Sequence, residues 1–232
     1  MKIKFIATSP HVLKVRERPI PASKLIPAWW KNMQVHSSES GKLELNPSPN
    51  VTAKRCFPLL DGITAGYIVT LWSDVLVSKD ENGLMSVKWN VEETVFDSWN
   101  PQQVSSYEIP EGYASTVLKY MHGWVIETPK GYSCLITHPI GYPNLPLRTL
   151  TGIIDTDSLQ THANSPFVIK DGFEGIIPKG TPMFQVIPFK RDNWEMDIDS
   201  ISEDEIYFRY EKLRSIINSY YGRVLRKKKE YR

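Results

Sequence analysis

RTLTGIIDTDSLQTHANSPFVIKDGFEGIIPKGTPMFQVIPFKR, residues 148–191, decides the reading of this chain. Gly152-Ile153-Ile154 is a short apolar run that ends in the carboxylate of Asp155. Pro178-Lys179-Gly180 reads as a tight turn, and Met183 to Phe189 as a buried strand. An acid at the end of an apolar strand, followed by a strand running from Gly180 through Gln185, has the shape of a small-molecule site. A turn cap with Thr156 and Asp157 is the favoured reading of Asp155, since Asp side chains bond their own backbone in Asx-turns. Gln185 fits a buried residue that bonds a neighbouring loop.

Outward from this stretch, the chain reads as short strands punctuated by Gly and Pro. Met1 to Ala7 alternates, with Ile3 and Phe5 on one side and Lys2 and Lys4 on the other. Thr8 to His11 is expected as a turn. Ala28 to Met33 is expected as a short helix with Pro27 at its first turn. Residues 36–50 are rich in Ser, Gly, Asn and Pro and are expected as a mobile loop. Cys56 to Val77 reads as two strands. Asp80-Glu-Asn-Gly83 is a turn, and Leu84 to Val91 is expected to pair with Leu71 to Val77 as a hairpin. Val117 to Glu127 fits either a strand pair or a short helix, and Tyr132 to Thr137 reads as a strand. The fold class expected is mainly β: a distorted jelly-roll or β-clip-like barrel with a C-terminal α-helix.

That helix announces itself by Ser202-x-x-Glu205, a capping box. Ile206, Tyr210, Leu213, Ile217, Tyr220 and Val224 then form an apolar stripe, with an end expected near Gly222. Residues 192–205 hold seven acids and no Lys or Arg, whereas 222–232 hold six Lys/Arg and one Glu. Acidic linker and basic tail can pair within or between subunits, or stand as two solvated runs. The expected organisation is an N-terminal strand and Pro/Trp-rich arm (1–50), a β core (51–191), and a linker, helix and basic tail (192–232).

At 232 residues the chain suits one all-β domain, and 23% charged residues is ordinary for a folded protein. The net charge of +2 implies no global electrostatic partner. Nucleic acid is not an expected partner, because the basic tail lacks interleaved stacking aromatics apart from Tyr231. Cys56 and Cys134 form no C-x-x-C, which excludes the usual zinc and redox motifs, and Cys134 is expected buried. No signal peptide or membrane span is read, so host cytoplasm or virion is the expected location. No Walker loop, G-x-G-x-x-G, H-E-x-x-H or G-x-S-x-G occurs. His11, His36, His122, His138 and His162 make no H-x-H pair, so no metal site is expected, although distant His122, His138 and His162 could assemble one. Adjacent Trp29 and Trp30 sit on a proline-flanked helix. One ring of such a pair must face outward unless a second surface covers it. Trp29 and Trp30 are therefore expected at an interface, together with Ile206, Tyr210, Leu213 and Ile217 of the helix stripe.

Two resemblances follow. Gly152-Ile-Ile-Asp155-Thr-Asp157 resembles the G-[VI]-I-D-x-D-Y motif of trimeric dUTPases and related dCTP deaminases. Ile177-x-x-Gly180-x-x-x-x-Gln185-Val-Ile resembles their later strand. Pro129-Lys-Gly131-Tyr132 and Gly141 fall where those enzymes have P-x-G and the end of P-R-S-G, and Ala65-Gly66-Tyr67 resembles their A-G-Y-D. The resemblance spans about residues 60–190, with a long insertion around 78–125. It implies that Asp155 is the water-activating carboxylate, and that Asp157, Gly141, Gly180 and Gln185 line the ligand site. Three positions depart from the pattern. Ser158 stands where the base-stacking aromatic belongs, Pro139 and Ile140 replace the phosphate-binding Arg and Ser, and Ile68 replaces the acid that helps hold magnesium. The family's Gly-rich C-terminal arm is also replaced by the acidic linker and helix.

The second resemblance is to proteins of unassigned activity encoded by tailed phages, including those of cyanobacteria. It is carried by Ile26-Pro-Ala-Trp29-Trp30-Lys31, by Cys56-Phe-Pro58 through Gly66-Tyr67, and by Pro178-x-Gly180-x-Pro182 through Pro188-Phe189. It implies a phage-type origin and, as partners, copies of itself or other phage proteins. Three functions stand open: a non-catalytic binding or virion-assembly module without cofactor, a nucleotide hydrolase or deaminase using Asp155 with magnesium, and a nucleotide-binding sensor.

Overall fold

The computed structural model describes residues 1–36, 51–159, 161–214 and 220–232, and the side chains of all of these except 212–214. The loop expected over 36–50 lies outside the described residues from 37 onward, as do Ile217 and the side chain of Leu213. No described helix is long and apolar enough to cross a membrane.

Lys4–Ala7 forms β1, as its alternation predicts. The Thr8–His11 turn becomes the start of a helix, Pro10–Val15 (α1). Ser9 accepts a hydrogen bond from Val12 N at 3.2 Å, and Pro10 opens the first turn, where its missing N–H costs nothing. Ile20–Pro21 (β2) and Ala28–Asn32 (α2) follow, the latter one residue shorter than expected. Phe57–Ile63 is a helix (α3), which corrects the reading of Cys56 to Val77 as strands alone. Phe57, Leu60 and Ile63 recur at intervals of three and turn to one side, with Ile63 buried and Leu59 exposed.

The remaining strands are Tyr67–Thr70 (β3), Val75–Lys79 (β4), Met85–Lys88 (β5), Phe96–Ser98 (β6), Leu118–Tyr120 (β7) and Trp124–Glu127 (β8). After them come Tyr132–Thr137 (β9), Leu147–Thr149 (β10), Gly152–Ile154 (β11), Ser165–Ile169 (β12), Gly175–Ile177 (β13) and Pro182–Lys190 (β14). Glu203–Arg214 (α4) is the C-terminal helix, and Ser202 Oγ accepts from Glu205 N at 3.3 Å as the capping box predicts. Val117 to Glu127 resolves into two strands, β7 and β8, that pair with other strands and not with each other. The β4–β5 hairpin turns at Asp80, whose carboxylate accepts from Asn82 N and Leu84 N.

All described strand pairs are antiparallel. The largest sheet runs β11-β9-β14-β3-β2, with β9 and β3 flanking the nine-residue β14. A second runs β10-β12-β7-β6, a third β13-β4-β5, and β1 pairs with β8. None of these sheets closes into a ring, so the jelly-roll-like architecture is open. One core joins them. Phe96 meets Phe167 edge-on at 4.7 Å, and Tyr120 lies against Phe96 and Phe184. The Tyr120 hydroxyl donates to Thr70 O at 2.7 Å and accepts from Trp72 N at 3.0 Å, which satisfies a fully buried polar group. Burial in turn raises its pKa. Gly66 (φ 64°) lets β3 start against β14: a Cβ there would lie 1.9 Å from Val186 O.

Candidate functional site

Sheet register puts the quoted acids at one end of the large sheet. β11 pairs with β9 as Gly152↔Ile136 and Ile154↔Cys134, so Asp155 follows opposite Ser133. Ser133 Oγ donates to Asp155 Oδ1 at 2.7 Å. The chain then turns, with Ser158 N and Leu159 N both donating to Asp155 O. This turn carries Asp157 under the Pro129–Tyr132 bend, where Gly131 N donates to its Oδ2 at 2.8 Å. Meanwhile β14 pairs with β9 up to Lys190↔Tyr132, and Arg191 N bonds Gly131 O at 2.8 Å. Three strand ends therefore meet here: β11, β9 and β14.

Arg191 fills the space between the two acids. Its guanidinium grips Asp157 with both nitrogens, Nη1 to Oδ1 at 2.8 Å and Nη2 to Oδ2 at 2.5 Å. Nη1 also donates to Ser133 Oγ at 2.9 Å and to Asp155 Oδ1 at 3.2 Å. The bidentate grip and the Gly131 N–H hold the Asp157 carboxyl well below the usual carboxylate range. The Asp157 side chain is 5% exposed and that of Asp155 is 64% exposed. Asp157 is thus a sealed anion. Asp155 keeps one oxygen, Oδ2, with no protein partner among the described residues. Arg191 was not singled out from the sequence: it follows Lys190 at the end of β14, and nothing in the sequence marks which of the two cations meets the acids.

Gln185 sits elsewhere, fully buried in the middle of β14. Its Oε1 accepts from Ile140 N at 2.8 Å, and its Nε2 donates to Gly62 O at 3.1 Å and Ala65 O at 2.6 Å. Both donors of the amide are used, and three backbone groups, two at the end of α3 and one beside Gly141, depend on it. Gly141, next to Ile140, has φ 90° and accepts the Trp29 Nε1 hydrogen bond at 2.6 Å. Gly180 (φ 86°) bonds Leu71 O at 2.7 Å at the far end of β14. The nine residues of β14 separate Gly180 from Arg191 by roughly 30 Å at ~3.4 Å per residue. The structure brings Asp155 and Asp157 together, sets Gln185 beside the Gly141 loop, and leaves Gly180 apart from both.

The three departing positions have other occupations. Ile68 is fully buried in β3. Ile140 offers its backbone N–H to Gln185, and Ser158 Oγ donates to Asp157 Oδ1 at 3.1 Å. Among the described residues, no three His, Cys, Asp or Glu side chains are placed to hold a metal. His122 is fully buried: Nε2 donates to Ala163 O at 2.7 Å and Nδ1 accepts from Trp124 N at 3.1 Å, which fixes a neutral tautomer. Burial pushes its pKa down to about 4. His138 contacts Tyr142 O at 3.0 Å, and Cys134 is buried as expected.

Of the expected interface residues, Trp29 is 44% exposed while Trp30 is buried beneath it, the rings meeting edge-on at 5.6 Å. Tyr210 is exposed and Ile206 half-buried on α4. Beside the Asp155 turn, a hollow of about 310 Å³ is lined by Tyr67, Tyr132, Tyr231, Thr128, Lys2 and Glu230 among others. Thr128 ties it to the turn through Thr156 Oγ1 at 2.7 Å.

No family model matches the sequence, and no curated protein matches it. Among solved structures, the chain is similar to a mutant dUTPase from phage phi11 of S. aureus, at 14% identity and TM-score 0.36, over 88% of this chain and 99% of that one. It is also similar to a Staphylococcus bacteriophage 80alpha dUTPase mutant with dUpNHpp, at 16% identity and TM-score 0.35, over 87% and 92%. A second 80alpha dUTPase mutant with dUpNHpp gives 14% identity and TM-score 0.34 over the same shares. The expected resemblance to dUTPases thus has a counterpart among solved structures. At TM-scores this low the likeness bears on no residue of the site.

Proposed function

We propose that this chain is a non-catalytic binding or assembly module. One observation carries the reading: Arg191 binds both Asp155 and Asp157, so the acids that resemble an active-site motif brace three strand ends. A carboxylate acting as general base must hold a water in line with its target, and a magnesium–phosphate site needs cations free for phosphoryl oxygens. Here the nearest cation is neutralised by Asp157. The amide of Gln185 is spent on backbone groups, and Ile140 and Ile68 stand where the resembled enzymes place polar side chains.

One observation favours a second reading, hydrolysis or deamination of a nucleotide: the Asp155 side chain is exposed, and its Oδ2 has no partner among the described residues. Incubation of the purified chain with each dNTP and Mg²⁺, followed by product analysis, separates the two. The expected result is unchanged nucleotide. Turnover that Asp155→Asn abolishes would establish the second reading instead.

A further inference from the structure

The basic tail folds back on the core. Arg226 Nη2 meets Asp61 Oδ1 at 2.6 Å and Lys229 Nζ meets Asp61 Oδ2 at 2.7 Å, and the Asp61 side chain is 12% exposed. Both cations stay charged there, since hydrogen bonding to Asp61 raises the pKa of each. The Arg226 guanidinium lies over the Phe57 ring at 4.8 Å. The Tyr67 hydroxyl donates to Arg232 O at 3.2 Å, and Tyr231 packs edge-on against Tyr67 at 6.0 Å. The tail is therefore pinned at Arg226, at Lys229 and at its last two residues.

Held in this way, the tail walls a hollow of about 400 Å³. Arg226, Lys228, Lys229 and Arg232 line it, and Ser23 and Thr64 add hydroxyls. Two acids share the four cations. Asp61 holds Arg226 and Lys229 and is not itself part of the lining, whereas Glu230 pairs with Lys228 at 3.2 Å and with Arg232 at 2.7 Å. The surplus is 4 − 2 = +2 on one concave surface, where the protein wall focuses its field. Donors are in surplus too. Arg226 commits Nε and Nη2 to Asp61, and its Nη1 has no partner among the described residues. The Lys229 ammonium carries three N–H groups and meets the single acceptor Asp61 Oδ2. The Glu230 pairs are exposed, at 48% for the acid and 76% and 87% for its partners, so they yield to a stronger acceptor.

We propose that this hollow binds a free oligophosphate, whose closely spaced anionic oxygens take the spare donors of Arg226 and Lys229 and displace Glu230 from Lys228 and Arg232. Phosphoryl oxygens are strong acceptors for Arg and Lys, and charge-assisted bonds of this kind outcompete exposed carboxylate pairs. A monovalent anion leaves the surplus charge half met and reaches few of the four cations. An extended nucleic-acid strand fits less well, because Tyr231 is the one aromatic side chain in the lining and successive bases need successive stacking platforms. None of the lining residues belongs to the Asp155–Asp157–Arg191 cluster, so the site goes beyond the reading proposed above. Binding here and chemistry at Asp155 are decided by separate experiments.

The test titrates the full chain with sodium tripolyphosphate in a calorimeter, at low salt and in EDTA. Saturable binding is expected, and it should weaken as salt is added. Glu230→Gln should tighten it about threefold, because the competing acid loses its charge. Lys228→Ala/Arg232→Ala should weaken it about tenfold, through the loss of two charge-assisted contacts. Asp61→Asn separates a built site from diffuse attraction. Diffuse attraction predicts tighter binding, since a negative charge is gone. A built site predicts binding about fivefold weaker, since Arg226 and Lys229 lose the group that aims them. Three results would each overturn the proposal: a wild-type chain that does not saturate, an Asp61→Asn chain that binds as tightly as wild type, or oligothymidylate binding more tightly than tripolyphosphate. Should Asp61→Asn fail to fold by circular dichroism, the exposed Lys228→Ala/Arg232→Ala pair decides, and undiminished binding in it overturns the site.

Discussion

Arg191 and Asp157 form a two-pronged ion pair, Nη1 to Oδ1 at 2.8 Å and Nη2 to Oδ2 at 2.5 Å, across the gap between the end of β14 and the turn after β11. The carboxylate it grips is nearly sealed from water, and the same guanidinium reaches Asp155 and Ser133. A planar guanidinium matches this arrangement and an ammonium does not.

Arg191→Ala should therefore lower the melting temperature by several degrees, because it strands the Asp157 anion. Arg191→Lys should recover only part of the loss, having one point charge where a fork is needed. The pair also sets an acid limit. The Asp157 pKa is depressed in the folded state, so its stabilisation is full above the unfolded value of ~3.9 and is lost as pH falls through the folded one. Melting temperatures of wild type and Asp157→Asn should begin to approach each other only as pH falls below about 4, and should meet only in stronger acid, below the depressed folded pKa.

Gln185→Leu removes the acceptor for Ile140 N and the donor for two carbonyls inside the core. Leaving such groups unpaired costs about 2–4 kcal/mol in all, at ~1–3 kcal/mol per group with partial rescue by water. Urea unfolding should show this as a lower midpoint with an unchanged slope. Gln185→Glu should destabilise as well, since it keeps the acceptor and loses the donor.

His122 supplies a second pH dependence. Its folded pKa of about 4 lies below the ordinary value of 6.5. A depressed pKa means stability that is full above pH 6.5 and declines as pH falls toward 4. The loss approaches about 3 kcal/mol at ~1.4 kcal/mol per pH unit. Denaturation curves between pH 7 and 4 should show this slope, and His122→Gln should flatten it.

Gly66→Ala should yield no folded protein. The new Cβ would stand 1.9 Å from Val186 O, where backbone rather than a movable side chain blocks it. Soluble expression with native circular dichroism would contradict the packing of β3 on β14 described above.

The large sheet was legible because its signals are local. Tyr132–Thr137 matches its expected bounds, and β14 extends the expected Met183–Phe189 strand by one residue at each end. The β4–β5 hairpin was legible from Asp80 to Gly83, although its first strand starts at Val75 rather than Leu71, which instead bonds the Gly180 turn. α1 and α3 were not legible. Pro10 and Pro58 open them, and a proline after a short polar or apolar stretch reads as easily as a turn. At the site, the sequence supplied the acids and could not supply what they touch. Asp155 and Asp157 were found from a strand ending in carboxylates. Arg191 lies over thirty residues further on, and only the register of β14 against β9 brings it between them. Gln185 was weighed as a core amide and as a ligand contact, and its three bonds were beyond reach because Gly62 and Ala65, at the end of α3, and Ile140, beside Gly141, lie far from it and from each other in sequence.

The central claim is that the Asp155–Asp157–Arg191 cluster braces strand ends and performs no chemistry. Its most direct test is the rate of phosphate and pyrophosphate release from dNTPs with Mg²⁺, wild type beside Asp155→Asn. The brace predicts that both proteins match the buffer blank for every nucleotide. Release by the wild type that disappears in Asp155→Asn would contradict it.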